Sequence, residues 1–69
     1  MLQLLDVVAL LAPRADIGLV RGQVGTVVER YGEDAVEVEF SNDQGVAVRL
    51  ASFADRELLK LVHDGAAAA

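Results

Sequence analysis

Residues 20–40, VRGQVGTVVERYGEDAVEVEF, decide the fold: they hold a glycine-punctuated apolar segment, a turn, and a segment with unbroken two-residue periodicity. In Val36-Glu37-Val38-Glu39-Phe40 every second residue is apolar, the pattern of a strand with one face on a core and the other in water. Val36, Val38 and Phe40 are expected inside, Glu37 and Glu39 outside. Upstream, Val24–Tyr31 reads as the preceding strand, and Gly32-Glu33-Asp34 is short and polar enough to close a hairpin. Gly22 suits a turn that requires positive φ, whereas Gly25, inside the strand, predicts a bulge or a sharp bend of the kind small barrels use at their corners.

Working outward, Ser41-Asn42-Asp43-Gln44-Gly45 has the residues of a second turn. Val46, Val48 and Leu50 then continue the alternation inward, with Arg49 outward. Residues 4–12, LLDVVALLA, end at Pro13; the paired valines favour a strand, although the leucines and alanines would also suit a helix. Residues 13–23 form a long loop whose Ile17, Leu19 and Val20 are expected to tuck over the core as a lid. In residues 51–62, ASFADRELLKLV, Ser52 and Asp55 could cap a helical turn. The preferred reading is one helical or 3₁₀ turn over residues 54–57 and a closing strand over 58–62. The order is strand, long loop, three antiparallel strands, helical turn, strand. It predicts an all-β domain, a small five-stranded SH3-like barrel, with an OB-type barrel as the competitor.

Sixty-nine residues allow one domain, expected over residues 1–63 with a disordered Ala-rich tail at 64–69. No cysteine is present, so no disulfide or thiolate site is available. The apolar start has no basic leader and meets Asp6 and Pro13, which argues against a signal peptide or membrane span and for a soluble, cytoplasmic protein. A hydrophobic fraction of 54% and a mean hydropathy of +0.38 are high for a domain that can bury only about 60% of its unfolded surface. The excess is expected either scattered or gathered into a patch covered by a partner, for which a second copy is the commonest cover.

The net charge of −5 is unevenly placed. Glu29, Glu33, Asp34, Glu37, Glu39 and Asp43 face Arg30 alone, while elsewhere Asp6, Asp16, Asp55, Glu57 and Asp64 balance Arg14, Arg21, Arg49, Arg56 and Lys60. All the excess charge thus sits on one hairpin. Phosphate binding draws on clustered cations, so this distribution argues against nucleic acid and anionic membranes as partners.

The stretches DVVALLA, LVRGQVGTVVERYG and VEVEFSNDQG, with the Leu-rich end, resemble a small bacterial family of unknown function, numbered forty-nine twenty-six among such domains. Arg21-Gly22-Gln23-Val24-Gly25-Thr26-Val27-Val28 is also similar to the turn and strand of KOW-type and other SH3-like barrels. The resemblance implies a stand-alone small barrel and a link to two-gene modules of a toxin–antitoxin or immunity kind; it transfers no functional residue.

The candidate interaction residues are Glu29, Glu37, Glu39 and Asp43, a carboxylate set that could dock a basic protein or, without further function, serve as the solvated face of a strand. No catalytic, cofactor-binding or metal-binding set is expected. The three glutamates lack the ligand spacing of a calcium loop, and His63, the lone histidine, is remote from Ser41 and Ser52. No helix bearing Lys-Ser or Lys-Thr follows Gly22 and Gly25, so they do not form a phosphate loop. Tyr31 and Phe53 are too few for a proline-peptide groove. Arg21, Arg49 and Arg56 could form a small RNA-binding patch only if the fold gathers them. The expected function is a non-enzymatic interaction module, the antitoxin- or immunity-like half of a pair, with a self-associating homo-oligomer or a KOW-like RNA-binding domain as alternatives.

Overall fold

The structure, a computed structural model, describes residues 1–41 and 47–62. It is all-β. Five antiparallel strands, β1 (Val7–Leu10), β2 (Val24–Tyr31), β3 (Ala35–Ser41), β4 (Ala47–Ala54) and β5 (Leu58–Lys60), form one sheet in the order β4-β3-β2-β1-β5. Two 3₁₀ turns accompany them, Ala15–Ile17 in the long loop and Asp55–Glu57 directly before β5. The five strands, their succession along the chain and the turn before the last strand are those expected. Among the described residues no ladder joins β4 to β5.

The core lies on one face of the sheet. Val8, Val27, Val36, Val38 and Phe40 are fully buried, joined by Leu2, Leu10, Leu19, Phe53 and Leu58. Phe40 and Phe53 meet edge to face at 5.8 Å and 76°, the arrangement the ring quadrupoles favour. The β3 alternation holds as expected, with Val36, Val38 and Phe40 inward. Glu37 and Glu39 lie on the other face but are half-buried, because β3 is flanked by β2 and β4 and its neighbours' side chains crowd them.

A bulge in β2 sets the facing of the residues after it. Val27 pairs with Val38, but Glu29 pairs with Glu37, so β2 carries one extra residue at Val28. Without it, the alternation through Gly25 and Val27 would bring Glu29 onto the core face. With it, Glu29 turns outward and Arg30 turns inward, opposite Val36. The bulge expected at Gly25 thus lies three residues later. Gly25 is required for another reason: a Cβ there would lie 2.6 Å from Val38 Cγ1 and 2.8 Å from the Glu39 carbonyl oxygen. Gly22 does adopt positive φ, 85°.

Other boundaries shift. The first strand spans Val7–Leu10, not residues 4–12, because Leu5 takes a left-handed φ of 71° in a tight turn. There the Asp6 carboxylate accepts from Gln3 N–H at 2.9 Å. This turn folds the N-terminal segment back so that Leu2 enters the core. Leu19 is buried and Ile17 packs against the core, but Val20 is 62% exposed and forms no part of the lid. The last strand stops at Lys60, not at Val62. The 3₁₀ turn before it is capped neither by Ser52 nor by Asp55; its N-cap is Ala54, whose N–H donates to the Glu57 carboxylate at 2.7 Å. On β4 the expected faces are reversed. Register sets Arg49 opposite Phe40, yet on this outermost strand Arg49 remains exposed, and Leu50 pairs with Glu39 on the outer side, where it is 54% exposed. The turn expected over residues 41–45, the inward placement of Val46 and Val48, and the tail after residue 63 fall largely outside the described residues.

Candidate functional site

The outer face of the sheet, opposite the core, gathers three of the four predicted site residues. Register sets them side by side: Glu29 lies opposite Glu37, and Glu37 opposite Ser52; one row away, Val7, Thr26, Glu39 and Leu50 line up across four strands. Asp43 lies outside the described residues. Directly opposed like charges are unfavourable on a sheet, and the bulge at Val28 creates the Glu29–Glu37 opposition. Among the described residues the ion pairs are Arg14–Asp16, Arg30–Asp55 and Lys60–Asp6; none neutralises these glutamates. What meets Glu37 is the Tyr31 hydroxyl, which donates to its carboxylate at 2.8 Å. That hydrogen bond, then burial, then the charges of Glu37 and Glu29 raise the Tyr31 phenol above its ordinary 10.0.

Beside the acidic rows the same face is apolar. Val24 lies opposite Ala9, and Ala9 opposite Leu59; Val7, Val24 and Leu59 are 41%, 50% and 52% exposed. The outer face is thus divided, with carboxylates over β2 and β3 and an apolar stripe over β5, β1 and the start of β2. Part of the apolar excess in the composition is gathered here.

The remaining candidates are not brought together. Phe53 points into the core, with the Arg14 guanidinium 5.1 Å above its ring, while Tyr31 is on the outer face, so the two aromatics share no groove. Ser52 lies on the outer face opposite Glu37. Ser41 is exposed at the end of β3, and His63 lies outside the described residues. Arg21, Arg49 and Arg56 are exposed on three separate elements: the long loop, β4 and the second 3₁₀ turn. Among the described residues no cluster of His, Cys, Asp or Glu is arranged to hold a metal ion.

Sequence reading missed a second polar cluster, at the junction of the hairpin and the second 3₁₀ turn. Arg30 grips Asp55 through both terminal nitrogens, the shortest contact 3.0 Å, and also donates to the Glu33 carbonyl. Asp55 accepts from Leu2 N–H at 3.2 Å, and its own N–H donates to the Asp34 carbonyl at 2.9 Å. Burial pulls the Asp55 carboxyl upward, but the hydrogen bonds from Arg30 and Leu2 hold it below its ordinary 3.8. Arg30 Nε is buried without a hydrogen-bond partner. The available signal was parity: a bulge in β2 is expected, and one lying between Val27 and Arg30 turns that arginine inward. A cleft of about 420 Å³ opens beside this cluster, lined by Met1, Leu2, Asp55, Arg56, Leu58 and Lys60.

The model of one family, a domain of unknown function (DUF4926), matches residues 4–60. Comparison with curated proteins and with solved structures gives no match. Among the described residues, no helix is long and apolar enough to cross a membrane.

Proposed function

The chain belongs to the DUF4926 family, whose function is not known, and from its geometry we propose that it is a non-enzymatic protein-interaction module. It docks, through the outer face of its sheet, a protein that presents basic side chains beside an apolar strip. The observation that carries this reading is the division of that face into unneutralised Glu29, Glu37 and Glu39 on one side and exposed Val7, Val24 and Leu59 on the other. The like-charge opposition of Glu29 and Glu37 disfavours the free protein and would be relieved by a cationic side chain inserted between them. Complementary charge would speed and orient the encounter, and the apolar stripe would supply the desolvated area. The same carboxylates repel phosphates, so the partner is a protein and not a nucleic acid. The setting we propose is cytoplasmic, as the antitoxin- or immunity-like half of a two-gene pair, which is what the family resemblance implies.

The test is affinity purification from the native host with the wild-type chain and with a Glu37→Lys, Glu39→Lys variant that retains its circular dichroism. Recovery of a basic protein in stoichiometric amount by wild type, and its loss from the charge-reversed variant at low salt, supports the reading. Equal recovery by both variants, or recovery of the chain alone, overturns it.

A further inference from the structure

We infer that the free edge of β4 around Leu50 is a pairing surface for a second copy of this chain. β4 is an outermost strand of the sheet. Register fixes which of its backbone groups face outward. Asp55 N–H donates to the Asp34 carbonyl just beyond the Ala35–Ala54 pair. Asp55, Phe53, Ala51 and Arg49 therefore turn their backbone groups toward β3, and Ala54, Ser52 and Leu50 turn theirs away.

Two of these outward positions are already blunted. The Ser52 carbonyl accepts from Arg14 Nη1 at 3.4 Å, and Ala54 N–H donates to the Glu57 carboxylate at 2.7 Å. Both contacts agree with the parity, and both guard the C-terminal half of the edge. At Leu50, by contrast, neither backbone group has a partner among the described residues beyond its own sheet. The segment Arg49–Phe53 contains no proline, no lysine and a single charge, Arg49, so it lacks the devices by which exposed edges usually resist pairing.

The occupant is argued from charge and symmetry. A twofold antiparallel arrangement centred on Leu50 sets Leu50 against Leu50 of the second copy and Arg49 against its Ala51, so no like charges face one another. A dyad makes such an interface self-complementary. In this arrangement the two β3 strands lie three strand spacings apart, roughly 14 Å, beyond the screening length of about 8 Å at physiological ionic strength. Stacking two copies by their outer faces would instead bring Glu29, Glu37 and Glu39 of each to about 10 Å or less. Edge pairing is therefore the mode of self-association that the acidic face permits, and it leaves that face open for another protein.

The experiment is sedimentation velocity over a concentration series on the full chain, wild type and Leu50→Pro. Proline removes the outward N–H of residue 50 without removing a bond to β3. Wild type is expected to dimerise, and the variant to dimerise about tenfold more weakly with an unchanged circular dichroism spectrum. Should the proline variant unfold, Leu50→Lys replaces it, setting two lysines opposite each other across the dyad, with the same expected weakening. A wild-type chain that stays monomeric across the series, or a folded variant that dimerises like wild type, overturns the inference.

Discussion

β3 and β4 are adjacent strands of seven and eight residues in one sheet, yet their sequences carry different kinds of information. β3 is flanked on both sides, and its buried Val36, Val38 and Phe40 alternate with half-buried glutamates. Among the described residues β4 has one neighbour; it buries Phe53, half-buries Ala51 and leaves Leu50 exposed on the side of Glu39. A central strand must distinguish two environments, so polarity marks its faces. On an edge strand, weakly buried positions tolerate leucine or arginine on either face, and register with the neighbour decides. That register slips by one residue between Phe40 and Ser41. An alternation carried through Val46 and Val48 therefore arrives at Leu50 on the opposite face.

The largest expected effect tests this difference directly. Phe40→Ala removes a fully buried ring that packs on Phe53 and is expected to cost about 4 kcal/mol, most of the stability of a domain this small. Leu50→Ala is expected to cost about 0.5 kcal/mol or less in the monomer. Urea unfolding of both variants at low protein concentration reads the contrast, and comparable losses would erase the distinction between the strands.

Next in size is the support that β2 gives β3. Gly25→Ala places a methyl group 2.8 Å from a backbone oxygen of Glu39 and from Phe40 Cδ1, so the strand itself must move. A loss of about 2 kcal/mol is expected, read by the same unfolding measurement. A neutral alanine at this position would mean that the contact between the two strands is looser than the register shows.

The third prediction concerns the junction that ties the turn before β3 to the end of β4. Asp55→Asn weakens the bidentate contact with Arg30 and is expected to cost about 2 kcal/mol at neutral pH. Because the Asp55 carboxyl in the fold lies below 3.8, the unfolded chain takes up its proton first on acidification. The contribution is therefore complete above the unfolded value and lost as pH falls through the folded one. Thermal unfolding at pH 7 and at about pH 3 should show wild type and variant converging in acid. A constant gap would place the stabilisation elsewhere.

What could be read in advance obeys the same division. The β2–β3 hairpin, the five-strand order and the 3₁₀ turn before β5 were legible, because valine–glutamate alternation and glycine-bearing turns are local signals. The meeting of Glu29 with Glu37 was legible only as a shared hairpin. Their direct opposition depends on one extra residue at Val28, and nothing in Thr-Val-Val-Glu marks which valine is extra. Gly25 stands out as a glycine inside a strand, but the close approach that requires it comes from Val38, thirteen positions away. The short first strand was hidden because Leu5, a residue that seldom takes positive φ, occupies a turn. In the sequence Arg30 is a lone cation among carboxylates and Asp55 a possible cap, since their partnership exists only after the bulge has turned one inward and the 3₁₀ turn has delivered the other.

The smallest effect lies on the outer face and is the most selective. Tyr31 is the one tyrosine in the chain, and tryptophan is absent, so ultraviolet absorbance in an alkaline titration reads this phenol alone. Its hydroxyl donates to Glu37, and ionising it would set a phenolate against that carboxylate, with Glu29 nearby. The phenol is therefore expected to titrate above its ordinary 10.0. Since the folded value is the higher one, this contact contributes stability below the unfolded value and loses it as pH rises through the folded value. Glu37→Gln keeps an acceptor and removes the charge, and should move the midpoint back toward 10.0, whereas Glu33→Gln in the adjoining turn should leave it nearly unchanged. If the Glu37 variant titrates like wild type, the carboxylates of β2 and β3 do not act on a common point, and the acidic half of the outer face loses the coherence that sets β3 apart from β4.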